Sequence, residues 1–275
     1  MSLRRFWLGL STVTGLGARG FFIPHRYAGA IATSQPIYAE IAKLLAAHET
    51  AFQQTLRLID AVADDITSFS GPPPAPRWAQ DWFPRTDGAA AYAMVRHHRP
   101  ARLIEVGSGH STRFIAQAIA DGGFSCAVTA IDPAPRAAID ALPINVIRQP
   151  VQQVPGDLFG QLNAGDVLFI DSSHILMPGT DVDHLFSRVL PRLPGGVFVH
   201  IHDVFLPDDY PAAWRWRGYN EQLAVAALLQ GGRFLPLWAS HYVVTRMKDA
   251  VAGSILARLP LPNGAIESSL WLRTA

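Results

Sequence analysis

The chain has 275 residues, of which 49% are hydrophobic and 16% charged. That composition supports a sizeable core and excludes global disorder, and the length suits one large α/β domain with an appendage or two small domains. Twenty-three basic and 22 acidic side chains leave a formal net charge of +1, without the basic excess that marks a nucleic-acid-binding surface. The single cysteine, Cys126, excludes an intrachain disulfide framework and fits a reducing compartment, so a cytoplasmic location is expected.

The longest stretches free of Asp, Glu, Lys and Arg are 6–18 and 27–39, at 13 residues each. A spanning helix needs about 20 mostly apolar residues, and no membrane partner is expected. Arg4 and Arg5 ahead of an apolar stretch imitate a signal peptide. However, Ser11, Thr12, Thr14, Gly15 and Gly17 dilute the run and Arg19 follows at once. The expectation is an arm that packs on the domain. Beyond it, Pro36 suits a first helical residue and Ser34 a cap. Apolar residues then recur at Ile37, Ile41, Leu44, Leu45, Phe52, Leu56, Ile59, Val62, Ile66 and Phe69, the steps of three and four that make one stripe of a long helix. Ser70-Gly71-Pro72-Pro73-Pro74 ends it, because proline lacks the donor and clashes with the preceding turn. The spacing divides the chain into a helical cap or arm, 1–75, and a second unit, 76–275.

After Arg85 short apolar runs alternate with helical stretches. Expected strands are Arg102–Val106, Cys126–Ile131, Asn145–Ile147, Asp166–Ile170, Gly196–Ile201, Phe234–Val243 and Ser269–Arg273. Helices are expected at Thr112–Ala120, Asp181–Val189 and Ala212–Leu229. Such alternation implies a doubly wound, mostly parallel α/β sheet, since parallel strands need crossover connections. No clear helix of ordinary length separates the last two strands, which points to an antiparallel edge there.

The most informative segment is Leu103-Ile104-Glu105-Val106-Gly107-Ser108-Gly109-His110-Ser111-Thr112. A buried strand runs into a glycine turn that opens a helix. Gly107 and Gly109 let a ligand approach the main chain, and the helix start offers free N–H groups. Glu105 stands at the mouth of the strand. Asp132 ends the next strand, where an acid can hold both ribose hydroxyls. A dinucleotide site also wants that second acid, but with an apolar residue in place of Glu105 and a third glycine in place of Ser111. A carboxylate at the loop mouth repels a pyrophosphate and suits a ligand carrying an amine and a sulfonium.

Glu-Val-Gly-Ser-Gly-His-Ser-Thr resembles the first motif of class I S-adenosylmethionine-dependent methyltransferases. The likeness is strongest to the bacterial small-molecule group that includes metal-dependent sugar O-methyltransferases, and it runs from about Arg85 onward. It implies a seven-stranded Rossmann-like sheet. It also implies that Gly107, Ser108, Gly109 and Ser111 line the methionine part, that Glu105 contacts its amino end, and that Asp132 holds the ribose. The segment near Gln149–Gln152 would lie by the adenine.

A second constellation follows the fourth and fifth strands. Asp166-Val-Leu-Phe-Ile-Asp171-Ser-Ser-His174 and Gly195-Gly-Val-Phe-Val-His200-Ile-His202-Asp203 each deliver polar groups at a C-terminal strand end, the edge where open α/β sheets bind ligands. Two chemistries fit. In one, Asp171, His202 and Asp203 hold a divalent metal, as the resemblance implies; the nitrogen ligand disfavours magnesium and leaves manganese, iron or zinc open. In the other, His174 or His202 takes the acceptor proton while Asp171 or Asp203 orients the ring, and Asp171 also borders the cofactor. Some such device is needed. Ionising a phenol of pKa about 10 at pH 7 costs about 4 kcal/mol, whereas a sugar hydroxyl nearing water's value of about 15.7 costs roughly 12 kcal/mol. His200 reads as a hydrogen-bonded strand residue.

Aromatic and basic residues cluster at Trp78–Asp87 and Trp214–Glu221. From these Arg85, Asp87 and Tyr219 are the expected acceptor contacts. In related enzymes the N-terminal helices cap the acceptor site or build a dimer interface, so a homo-oligomer is among the expectations. The overall expectation is methyl transfer to a small-molecule acceptor, with oxygen favoured. An NAD-type oxidoreductase and a non-catalytic nucleotide-ligand-binding protein are the alternatives.

Overall fold

A computed structural model describes residues 3–32, 34–135 and 138–275. Seven strands form one sheet: β1 (Arg102–Val106), β2 (Ala127–Ile131), β3 (Asn145–Ile147), β4 (Val167–Ile170), β5 (Phe198–Ile201), β6 (Phe234–Ala239) and β7 (Leu270–Thr274). Their order is β3-β2-β1-β4-β5-β7-β6. All neighbours are parallel except β7, which runs antiparallel to both β5 and β6. The central strands β4 and β5 are buried at every position. Their near-continuous apolar runs follow from helices covering both faces. The order reverses between β1 and β4, and a doubly wound sheet opens a crevice at that switch point.

The helices are α1 (Leu3–Val13), α2 (Ala39–Ala46), α3 (Glu49–Ala61), α4 (Ala63–Ile66), α5 (Arg85–His98), α6 (His110–Gly122), α7 (Asp181–His184), α8 (Glu221–Gln230), α9 (Ser240–Arg246) and α10 (Lys248–Ala252). Most expected elements are recovered, with these differences. The first of the expected helices after the arm starts at Ala39 with Tyr38 before it, not at Pro36 with a Ser34 cap. The long N-terminal helix is cut into α2, α3 and α4. At the first cut His48 leaves helical angles and its Nδ1 lies 2.9 Å from the Leu44 carbonyl, where a side chain competes with the backbone ladder. The apolar stripe survives the cuts, because Ile41, Leu45, Phe52, Leu56, Ile59 and Ile66 are all buried in the core they share with the sheet. The proline run therefore ends the helices without separating them from the sheet: Thr55 donates to the Leu237 carbonyl at 2.8 Å and Asp60 accepts from the Ile255 N–H at 2.8 Å.

The strand expected over Phe234–Val243 ends at Ala239, and Ser240 opens α9. A short apolar run such as Tyr242-Val243 cannot be told from a buried helix by its pattern. The helix expected over Ala212–Leu229 is broken at Gly218, whose φ of 69° turns the chain between a 3-10 segment and α8. Finally, α1 does not pack on the domain. Leu3, Phe6, Trp7, Leu10 and Val13 are all exposed.

Candidate functional site

Strand β1 delivers Gly107 into a left-handed turn (φ 81°), and a Cβ at that position would lie 1.8 Å from the Asp171 carbonyl oxygen. Only glycine fits so close an approach. The crowding arises because the ends of β1 and β4 are tied together, Asp171 N–H donating to the Val106 carbonyl at 2.8 Å. A Cβ at Gly109 would meet nothing within 4 Å. The turn is thus closed against β4 and open on its other side.

Glu105 is fully buried, and both its oxygens are engaged by the first turn of α6. Ser111 Oγ donates at 2.6 Å and Thr112 Oγ1 at 2.7 Å, while Thr112 Oγ1 accepts from Gly109 N–H at 2.9 Å. Burial pushes the Glu105 carboxyl up to about 8, against the pull of the two hydroxyls and with help from the Asp171 and Asp132 charges. Ser111 faces inward and contacts this acid. Asp132 is half-buried and fastens the loop: its Oδ2 accepts from Ser108 N–H and Oγ, each at 2.9 Å, and its Oδ1 accepts from Ala134 N–H at 2.8 Å.

Beside the loop lie buried guanidinium and imidazole nitrogens that sequence reasoning passed over. Arg113, in the first turn of α6, is 3% exposed, yet among the described residues its Nε and Nη1 have no partner. Buried nitrogens of Arg77 (Nε) and His110 (Nδ1) are likewise unpartnered. Trp78 packs on Phe114 with ring centroids 5.0 Å apart, so Arg77 runs alongside Arg113. Burial, then Arg113 and Arg77, push His110 down to about 4; burial and Arg77 also lower Arg113. Burying guanidinium nitrogens without an acceptor costs free energy, several kcal/mol at most (roughly, from ion desolvation), so these nitrogens suit an anionic partner. Arg113 within Ser-Thr-Arg-Phe carries no signal that distinguishes it from an exposed helix arginine.

The strand ends β4 and β5 bring the expected acids and imidazoles together. His174 Nε2 lies 3.4 Å from Asp171 Oδ1 and 3.3 Å from Asp203 Oδ2, and its Nδ1 lies 2.8 Å from Glu221 Oε2. His202 Nδ1 lies 3.4 Å from Asp171 Oδ1 and 3.6 Å from Asp203 Oδ1, and its Nε2 lies 3.4 Å from Asp87 Oδ2. Both His174 (φ 60°) and Asp203 (φ 57°) adopt left-handed backbone, which costs a non-glycine residue about 1–3 kcal/mol and persists where surroundings enforce it. For His174 the enforcement comes from the start of α8, since Asn220 and Glu221 N–H both donate to its carbonyl, at 3.1 and 3.3 Å.

Burial disfavours charge on both imidazoles. For His174 the carboxylates of Asp171, Glu221 and Asp203 outweigh it, and for His202 those of Asp171, Asp203 and Asp87 do, so both rings titrate well above their usual value. Burial would raise Asp171, but His202 and His174 overcome it and hold that carboxyl well below the usual range. Burial pushes Glu221 up, although His174 pulls the other way. Asp171 is the cluster's most accessible member, with its side chain 32% exposed against 7% or less for His174, His202, Asp203 and Glu221. Glu221 was not among the expected site residues. At a helix start it reads as an acid favoured by the dipole, and only the fold turns it to His174.

His200 is the core residue expected of it. It stacks on Phe169 at 3.6 Å, its Nε2 lies 2.9 Å from Ser269 Oγ, and burial followed by the His202 charge lowers its pKa. The structure gives no support to the metal expected at Asp171, His202 and Asp203. Among the described residues no group of three or more His, Cys, Asp or Glu side chains is arranged to hold a metal ion. The imidazole nitrogens lie against carboxylate oxygens at 2.8–3.6 Å.

Of the expected acceptor contacts, Arg85 is committed elsewhere. It makes a two-point pair with Glu267, Nε to Oε1 and Nη2 to Oε2 at 2.8 Å each. Asp87 is fully buried and accepts from Ser268 and Ser269 N–H, so it anchors the start of β7 and contacts His202 rather than solvent. Tyr219 stays at the site, its ring 4.7 Å from His174 and its hydroxyl accepting from Arg217 at 3.1 Å.

Residues 104–204 match the family model described as a methyltransferase domain. That span begins in β1 and ends just past β5, so it contains the glycine turn and most of the imidazole cluster. No curated protein matches the sequence. Among solved structures, an SAH-bound methyltransferase of Podospora anserina, PaMTH1, is 16% identical, covering 93% of this chain and 99% of that one with a TM-score of 0.43. An O-methyltransferase from Bacillus cereus in complex with SAH is 12% identical over 81% and 91% of the two chains (TM-score 0.40). The branched-chain polyamine synthase of Thermus thermophilus is 13% identical over 78% and 63% (TM-score 0.46).

Proposed function

We propose that this protein transfers a methyl group from S-adenosylmethionine to a hydroxyl oxygen of a small molecule. The observation that carries this reading is the junction of β1 and β4. The glycine turn packs directly on Asp171, so a ligand seated on Gly107–Gly109 lies next to the most accessible acid of the imidazole cluster. The methyltransferase family model, which spans both motifs, supports it.

The residues present fit the donor. Arg77, His110 and Arg113, whose buried nitrogens lack partners, would take its carboxylate. Glu105, a buried acid behind the turn, would favour its positive end, and Asp132 would take the ribose with the acceptor capacity its oxygens retain. When bound, the donor supplies an electrophilic methyl on a sulfonium, leaving the protein chiefly the task of alignment. Asp171 accepts the hydrogen bond of the acceptor hydroxyl. His174 Nε2, 3.4 Å from Asp171, is the imidazole placed to receive the proton when its ring is neutral. Glu221 fixes that ring through Nδ1. The same carboxylates that raise the basicity of His174 narrow its gap to a phenol of pKa about 10, which favours proton transfer.

The test is calorimetric titration with SAH and, separately, NAD, with and without EDTA. Saturable SAH binding that EDTA leaves intact, with no heat from NAD, is the expected result. Binding of NAD in preference to SAH would sink the assignment. Turnover across a panel of phenols and polyols then separates an enzyme from a mere binder.

A further inference from the structure

We propose that the N-terminal arm is a docking element for an anionic lipid surface. This departs from the expectation that the protein has no membrane partner, and it stands independently of the methyl-transfer reading. Helix α1 is amphipathic in the manner of helices that lie in a bilayer interface. Leu3, Phe6, Trp7, Leu10 and Val13 recur at steps of three and four and fall on one face, while Arg4, Ser11 and Thr12 lie off it.

Among the described residues every side chain of that apolar face is exposed. Leu3 is 79% exposed and Trp7 64%, and Leu16, Phe21, Phe22, Ile23 and Ile31 continue the exposed series. Among the described residues no hydrogen bond or ion pair joins the stretch 3–32 to anything beyond Gln35. The first ties to the body are Gln35 N–H to the Asp209 carboxylate at 3.0 Å and Tyr38 N–H to the Pro207 carbonyl at 2.9 Å. Exposing that much contiguous apolar surface to water is unfavourable, and such a patch marks an interaction site.

Charge selects the occupant. The first 39 residues contain four arginines and no acid, so the other 236 residues carry 19 basic and 22 acidic side chains. The arm is basic and the body acidic. An anionic bilayer attracts the first and repels the second, which favours contact through the arm alone. No helix of the described residues is long and apolar enough to cross a membrane, so α1 would lie in the interface rather than span it.

The experiment is flotation of the full chain with vesicles of phosphatidylcholine alone or with 30 mol% phosphatidylglycerol (a composition set at about that value to give a strong surface potential). Expected is partition onto the anionic vesicles, weakening at high salt. It should fall about tenfold or more in Arg4→Glu/Arg5→Glu, since each basic residue near the surface contributes about fivefold. A similar loss is expected in Trp7→Glu/Leu10→Glu, which removes the apolar anchor. Circular dichroism should be unchanged in both, because Arg4, Trp7 and Leu10 are exposed and α1 makes no hydrogen bond or ion pair to the body among the described residues. No flotation with the anionic vesicles would overturn the proposal, as would flotation unaffected by both double variants. A concentration-dependent dimer that Trp7→Glu/Leu10→Glu abolishes, without vesicle binding, would assign the face to a second copy instead.

Discussion

Replacing Glu105 by glutamine tests the electrostatics of the glycine turn. The carboxyl is fully buried and titrates at about 8 in the folded protein against an ordinary value of 4.5. A folded-state pKa raised in this way means that the native state holds a proton the unfolded chain releases. The associated stability is intact below pH 4.5 and is lost as pH rises through 8. Over the whole range the difference of 3.5 units corresponds to about 5 kcal/mol, of which about 3 kcal/mol falls between pH 5.5 and pH 9. Glutamine has the same shape, can still accept from Ser111 or Thr112, and does not titrate. The variant should therefore resist alkaline pH better than the parent. Urea unfolding at pH 5.5 and 9 should show the parent losing about 1 M more in midpoint than the variant, taking a slope near 3 kcal/mol/M for a chain of this size. Equal losses in the two proteins would refute a neutral, buried Glu105. The variant should also bind SAH more weakly, since it cannot ionise in response to a cationic amine.

Gly107→Ala should cost about 3–5 kcal/mol. That sums roughly 1 kcal/mol for a left-handed alanine, roughly 1–3 for a Cβ placed 1.8 Å from the Asp171 carbonyl, and about 1 for the strained Asp171–Val106 hydrogen bond; a normal urea midpoint would contradict the geometry. Arg113→Gln should weaken SAH about tenfold or more, as expected for losing a charge-assisted contact, while leaving 5′-methylthioadenosine, which lacks the amino-acid end, unaffected; equal effects on both ligands would remove the carboxylate role. Glu221→Gln should lower turnover by about tenfold or more, by analogy with other acid-oriented imidazoles. It should also move the acidic limb of the rate profile to lower pH, because the Glu221 carboxylate is one of the groups that raise His174. An unchanged profile would make Glu221 merely structural.

Local chemistry was readable wherever a short segment fixes its own geometry. The pattern from Leu103 to Thr112 announced a buried strand, a glycine turn and a helix start, and the structure realises each. The alternation of apolar runs with helical stretches fixed a parallel sheet, because neighbouring parallel strands require crossovers whatever the detailed sequence. Asp171, His174, His202 and Asp203 could be named because strand ends of an open sheet all point to one edge. What the residues alone could not convey was pairing between distant segments. Glu105 is spent on capping α6, Arg85 is bound to Glu267, and Asp87 is buried under β7. Each fact depends on a partner at least six residues away, and for two of them about 180 away.

The same limit explains Glu221 and Arg113. A helix-start acid and a helix arginine look ordinary in one dimension. Whether they meet a buried imidazole, or are buried without an acceptor, is decided when β4, β5, α6 and α8 close on one another. The exposed face of α1 belongs with them. Its amphipathic spacing is written in the sequence, but its exposure among the described residues is a property of packing. The sequence by itself determined the periodicities and the turn chemistry, which act over a few residues. Tertiary structure alone decided which charges are paired, buried or left open, because those energies depend on distance and exposure in three dimensions.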